Sequence, residues 1–142
     1  MISTCQEFQI ETQGHSQTLD ITTPVLRIVE HQGLAEGLVT VFVPGATASV
    51  TTLEYEPGAV SDLGQAVEEM APEGEVYKHD ARWGDGNGFS HVRAALLGPS
   101  LCVPVSQGQL CLGTWQQIVV LDHDNRPRQR RVLVQVMGLG ES

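Results

Sequence analysis

From Thr4 apolar and polar residues alternate around Phe8 and Ile10, and a second alternating run, TLDIT (18–22), follows His15 and Ser16. A period of two predicts strands, here an opening hairpin. In TTPVLRIVEHQGL (22–34) the spacing changes: Thr23 is placed to cap, Pro24 suits a first helical position, Val25, Leu26, Ile28 and Val29 form one apolar face, and Gly33 is a stop. GLVTVFV (37–43) and ASVTTLEY (48–55) are rich in β-branched residues and predict two strands joined by a tight turn at PGAT. The most regular amphipathic helix is PGAVSDLGQAVEEMAP (57–72), with Val60, Leu63, Val67 and Met70 at three- and four-residue steps. A short helix is expected over Phe89–Leu97, ended by Gly98 and Pro99. SLCVPV, QGQLCLG, TWQQIVVLDHD and RQRRVLVQVMG add four strand-like segments, with HDNRP (123–127) as the turn before the last. The pattern predicts an α+β fold over residues 1–142: one domain, a largely antiparallel sheet or sandwich with about three helices packed on it.

Composition supports one folded domain. At 142 residues with 41% hydrophobic and 18% charged side chains, the chain buries a continuous core and carries no tract polar enough to remain disordered. No apolar run approaches the roughly 20 residues that cross a bilayer, and MISTCQEFQIETQ lacks a charged start followed by an apolar segment, so a cytoplasmic protein without membrane insertion is expected. Cys5, Cys102 and Cys111 have no CxxC spacing and read as reduced, structural thiols. The formal charge of −9 disfavours general nucleic-acid binding. Within this acidic chain Arg126, Arg128, Arg130 and Arg131 are clustered, either to capture an anion or to pair with acids on the solvent face of a strand.

The candidate chemistry centres on YKHDARWGDGNGFSHV (77–92), where His79 and His91 flank a loop of Gly, Asp and Asn. Two imidazoles fall short of the three protein ligands that zinc or a similar ion usually takes, so a third must come from elsewhere, with Glu54, Asp80 and Asp62 as candidates. Asn87 and Ser90 offer neutral hydrogen bonds, and Gln116, beside Trp115, is a further group able to orient a ligand. The competing reading makes both histidines loop and capping residues. No GxSxG, GxGxxG or P-loop is present, and GDGNG lacks the Lys-Ser/Thr ending of a phosphate loop.

Taken in order, VPGATAS, LEYEPG, the acidic helix, YxHD at Tyr77–Asp80, NxxxH at Asn87–His91, GxLxLGTWQ at Gly108–Gln116 and a terminal basic strand resemble the YjbQ family over nearly the whole chain, from Phe8 to Gly138. That family is often labelled secondary thiamine-phosphate synthase. The resemblance implies a compact α+β homotrimer with a polar cleft, to which His79, His91, Asn87, Glu54 and Gln116 would contribute. Many relatives carry a histidine where this chain has Gly45 and a hydroxyl residue where it has Ala46; here only Thr47 and Ser49 keep hydroxyls nearby. The implied activity is a weak or secondary transfer reaction on a phosphorylated small molecule. Arg128 and Arg130 would receive the phosphate, His79, His91 and Glu54 would serve catalysis, and a divalent metal ion such as zinc would sit on His79 and His91. The alternative is a small-molecule or metal-binding homotrimer without turnover.

Overall fold

The computed structural model of the chain describes residues 1–141. Its elements, in order, are β1 (Ile2–Thr12), β2 (Gln17–Asp20), α1 (Thr22–Gln32), β3 (Leu34–Phe42), β4 (Ala48–Leu53), α2 (Pro57–Met70), α3 (Lys78–Trp83), α4 (Gly88–Leu97), β5 (Ser100–Ser106), β6 (Gln109–Leu110), β7 (Gln117–Asp122) and β8 (Arg128–Gly140). They form an α+β structure with two antiparallel sheets, one in the order β1-β8-β3-β5-β6 and the other β2-β7-β4.

Between the sheets lies the core. Alternation sends Val39 and Val41 of β3, Val103 and Val105 of β5, and Val132, Val134 and Val136 of β8 inward, where they meet Val50, Ile118 and Val120 of the smaller sheet and Val25 and Val29 of α1. Central strand β7 is buried along its whole apolar run, Ile118–Leu121, which explains why its sequence is continuously apolar. The outer face of the larger sheet remains open, with Leu38 50% and Met137 49% exposed.

Strand partners differ from the sequence expectation. β1 does not form a hairpin with β2: all eleven of its residues pair with β8, from Ile2 opposite Gly138 to Thr12 opposite Arg128, while β2 pairs with β7. β3 and β4 likewise belong to different sheets. Alternation identifies a strand and its buried face but carries no information about its neighbour. Instead of closing hairpins, the β1–β2, β3–β4 and β7–β8 connections each cross from one sheet to the other, and all three do so at the same end of the molecule. That end holds the candidate site.

The helices begin and end by local rules. Asp20 accepts from the Thr22 N–H and hydroxyl, α1 starts two residues earlier than Pro24 suggests, and Gly33 ends it in a left-handed conformation. At the start of α2, Glu56 caps the Gly58 and Ala59 N–H groups and Pro57 follows it. Of the four apolar positions expected on α2 only Val67 is fully buried, and Met70 is exposed. The extra helix, α3, occupies the first half of the histidine loop and ends at left-handed Gly84. The cysteines are free and exposed, not packed as expected.

Candidate ligand-binding site

At the crossing end, α3 and α4 stand over the connections between the sheets. Gly88 permits this packing: a Cβ there would lie 2.5 Å from the Tyr77 Cβ, and its N–H instead donates to Asp80 Oδ1 at 2.8 Å. Asp80 thereby takes one of the amides that the start of α4 would otherwise offer to a ligand. The close approach brings the His79 and His91 rings to 4.2 Å between centroids, tilted by 39°. The structure therefore confirms that the two rings are neighbours despite twelve positions of separation.

Below them the floor is a buried polar network. Asp122 accepts a two-pronged contact from Arg130, Nε at 2.7 Å and Nη2 at 3.0 Å, together with the Thr12 hydroxyl at 2.5 Å. Arg130 Nη2 also donates to the Thr47 hydroxyl, which donates to Asp124 Oδ2 at 3.0 Å. Asp124 further accepts from Arg128 Nη1 at 2.9 Å and Asn87 Nδ2 at 3.2 Å. Burial works to raise both carboxyl pKa values, but it is outweighed, for Asp122 chiefly by hydrogen bonds from Arg130 and Thr12 and for Asp124 by those from the Asn125 N–H and Asn87, so both are held below the usual range. Charged groups buried this way are costly unless fully paired, and here the pairing fixes Thr47, Arg128 and Asn87 in place.

Above this floor is an open cleft of about 310 Å³ lined by Gly45–Thr47, His79, Trp83, Asp85, Asn87, His91, Asp124, Arg126, Arg128 and Arg130. Two side-chain atoms in it are buried without a hydrogen-bond partner: His79 Nδ1 and Asn87 Oδ1. His79 Nδ1 lies 3.7 Å from Asp80 Oδ1 and 3.5 Å from Asp85 Oδ1, beyond hydrogen-bond length. Burial, reinforced by the neighbouring His79, lowers the His91 pKa and favours the neutral imidazole. The arginine cluster divides. Arg131 pairs outside the cleft with Glu7 on β1, whereas Arg128 and Arg130 line the cleft and carry acidic partners. Arg126 is exposed at the rim and makes no ion pair among the described residues. Three guanidiniums face two carboxylates in this lining, a local reversal of the chain's charge of −9.

Glu54 and Gln116 do not join the site. β4 runs from Ala48, opposite Asp122, to Leu53, opposite Gln117, so about 3.3 Å per residue carries Glu54 roughly 17 Å or more from the cleft within one chain. Gln116 instead holds a turn: it accepts from the Gly113 N–H and donates to the Thr52 hydroxyl, both at 3.0 Å. Trp115, beside it, is exposed. Ser49 is fully buried and bonds His123 Nε2 at 2.8 Å, and Asp62 is exposed on α2. Sequence reasoning passed over Asp85, Trp83 and Asp124. The signal for Asp124 was the DHD triplet at the end of an apolar strand, facing alternate arginines on the next strand; Trp83 and Asp85 lay within the quoted histidine loop itself.

A two-sheet α+β domain with a polar cleft roofed by two short helices defines the class of protein. The chain matches the family described as UPF0047 protein YjbQ-like over residues 6–139, and it belongs to that family. It is 40% identical over 131 residues to a UPF0047 protein of Archaeoglobus fulgidus, covering 92% of this chain and 99% of the relative. A UPF0047 protein of Methanothermobacter thermautotrophicus is 38% identical over 94% of this chain and 91% of its own. Among solved structures, a hypothetical protein from Aeropyrum pernix superimposes with a TM-score of 0.87 at 33% identity, covering 97% of this chain and 99% of that one. A YbjQ-like protein of unknown function from Sulfolobus solfataricus gives 0.87 at 28% identity, covering 97% and 100%. Family membership and fold thus agree.

Proposed function

We propose that the cleft binds a phosphorylated small molecule, with Arg126 and Arg128 receiving the phosphate and His79, His91 and Asn87 contacting the group beside it. One observation carries this reading: two buried polar atoms without partners, His79 Nδ1 and Asn87 Oδ1, occur in the same cleft as the arginines. Leaving such atoms unpaired costs about 1–3 kcal/mol each, a cost that a bound ligand would relieve.

A divalent cation also fits the donor set. His79, Asp80 and Asp85 each offer one ligand atom, all within 4.8 Å of one another, and one imidazole nitrogen with two carboxylate oxygens suits zinc or a similar ion. His91 stands beside this set, and Gly45 supplies no side chain to it. When bound, the ion would neutralise charge on a phosphate group. The protein's own residues position the phosphate on guanidinium groups and keep a neutral imidazole, His91, next to it.

The three guanidiniums of the lining favour a second reading, transfer chemistry of the thiamine-phosphate synthase type, in which the carbon–oxygen bond to diphosphate breaks, a ring nitrogen of the acceptor forms the new carbon–nitrogen bond, and the arginines hold the departing diphosphate. We place this work in the cytoplasm, where three exposed free thiols remain reduced, and in a homotrimer whose contacts would cover the apolar side chains left open on the larger sheet. Elemental analysis of untagged protein, followed by diphosphate-release assays on the parent and on His79→Ala/His91→Ala, separates the readings. A parent rate above that of the double variant supports transfer. Equal rates with retained phosphate binding leave a binding protein, and light scattering at the mass of a monomer removes the trimer.

A further inference from the structure

Next to the polar cleft is a second depression of about 240 Å³, lined by Gly45, Ala46, Ala48, His91, Ala94, Ala95 and Pro99. It shares Gly45, Ala46 and His91 with the cleft, so the two depressions adjoin at these residues. Gly45 lies at the boundary and adds no side chain to either depression. Its φ of +145° excludes most side chains, and any Cβ there would meet Arg130 Nη1 at 2.9 Å. Apart from His91, the annex wall offers methyl groups, a proline ring and backbone, and its alanines come from both β4 and α4.

We infer that the ligand has two parts: a phosphate on the arginine side and a compact apolar body seated in the alanine annex, with His91 at the join between them. The inference rests on the phosphate-binding reading and narrows its substrate class. An apolar cavity of about 150 Å³ admits benzene, so the annex accepts a single ring or a short branched chain. A body rich in hydrogen-bonding groups fits poorly, because the alanine wall would leave them unpaired. The preferred ligand is therefore a phosphate ester of a small hydrocarbon-like group, and a ring carrying several donors and acceptors is disfavoured.

The test compares methyl phosphate with phenyl phosphate by calorimetric titration of the parent and of Ala95→Leu, with Ala95→Met as a second filling variant. Ala95 is exposed on α4 and lines only the annex, and both replacements are good helix formers, so the fold and the phosphate site remain intact. Phenyl phosphate is expected to bind the parent at least about tenfold more tightly than methyl phosphate, since apolar burial rewards the ring, and both variants should erase most of that preference. Equal binding of the two esters by the parent, or a preference unchanged in both variants, overturns the annex while leaving the phosphate site standing. Failure of both esters to bind overturns the phosphate reading and the annex with it.

Discussion

Two regions of the molecule treat histidine in opposite ways. His123, fully buried just past the end of β7, is satisfied at both ring nitrogens: Nδ1 is 2.6 Å from the Ser16 hydroxyl and Nε2 is 2.8 Å from that of Ser49. Ser16 also accepts from buried Arg93, which reaches the Ala71 carbonyl and Glu68 as well. His79 and His91 are partly exposed, with their rings adjacent and tilted, and a buried nitrogen is left over. The contrast separates a structural histidine from one with spare bonding capacity. It is hydrogen-bond completeness, more than burial, that distinguishes the two regions.

The comparison breaks most severely at the cleft floor. Asp122→Ala strands the buried Arg130 guanidinium and should lower unfolding free energy by about 3–5 kcal/mol in urea titrations. An undiminished denaturation midpoint would show that the network is not needed for the fold.

Acid should come next. Burial, with Arg93 and then Arg130 adding repulsion against the attraction of Asp122, lowers the His123 pKa from 6.5 to about 4. Between those values the unfolded chain binds a proton that the folded chain refuses, so stability present above pH 6.5 falls as pH drops and about 3 kcal/mol is lost by pH 4. Asp122 and Asp124, with lowered pKa values, add a further loss only below the ordinary carboxylate range near 3.8. Urea midpoints measured across this range, in the parent and in a His123→Gln variant that lacks the upper slope, check the assignment.

Smaller effects sharpen the contrast. Ser49→Ala removes one partner of His123 and should cost about 1–2 kcal/mol. Neither His79→Ala nor His91→Ala should lower stability by more than about 0.5 kcal/mol, because no protein hydrogen bond to either ring is broken. Thermal melting of the three variants in parallel gives the ranking. Histidine variants as damaging as Ser49→Ala would make the pair structural.

Much of the architecture was legible because it is local. Period-two runs marked the strands, Gly33 and Gly98 marked helix ends, and Phe89–Leu97 located α4 to within one residue. Strand partners were not legible, since alternation reveals which face is buried but not what lies alongside. α3 was hidden in a loop dense with Gly and Asp, whose six residues show too little periodicity to detect. In the site, His79, His91, Asn87, Thr47, Arg128 and Arg130 were recognisable by residue type and converge, whereas Glu54 and Gln116 were assigned by motif and lie at the other end of β4. The three crossings decide this outcome, because only residues at that end of each strand can meet.

The central claim is that the spare hydrogen-bonding capacity beside the arginines exists for a phosphorylated ligand. Calorimetric titration of inorganic diphosphate into the parent and into His79→Ala/His91→Ala tests it most directly. Saturable binding by the parent, weakened about tenfold or more in a double variant of unchanged stability, is the predicted result. Absence of binding by the parent, or identical affinity in the two proteins, would contradict it.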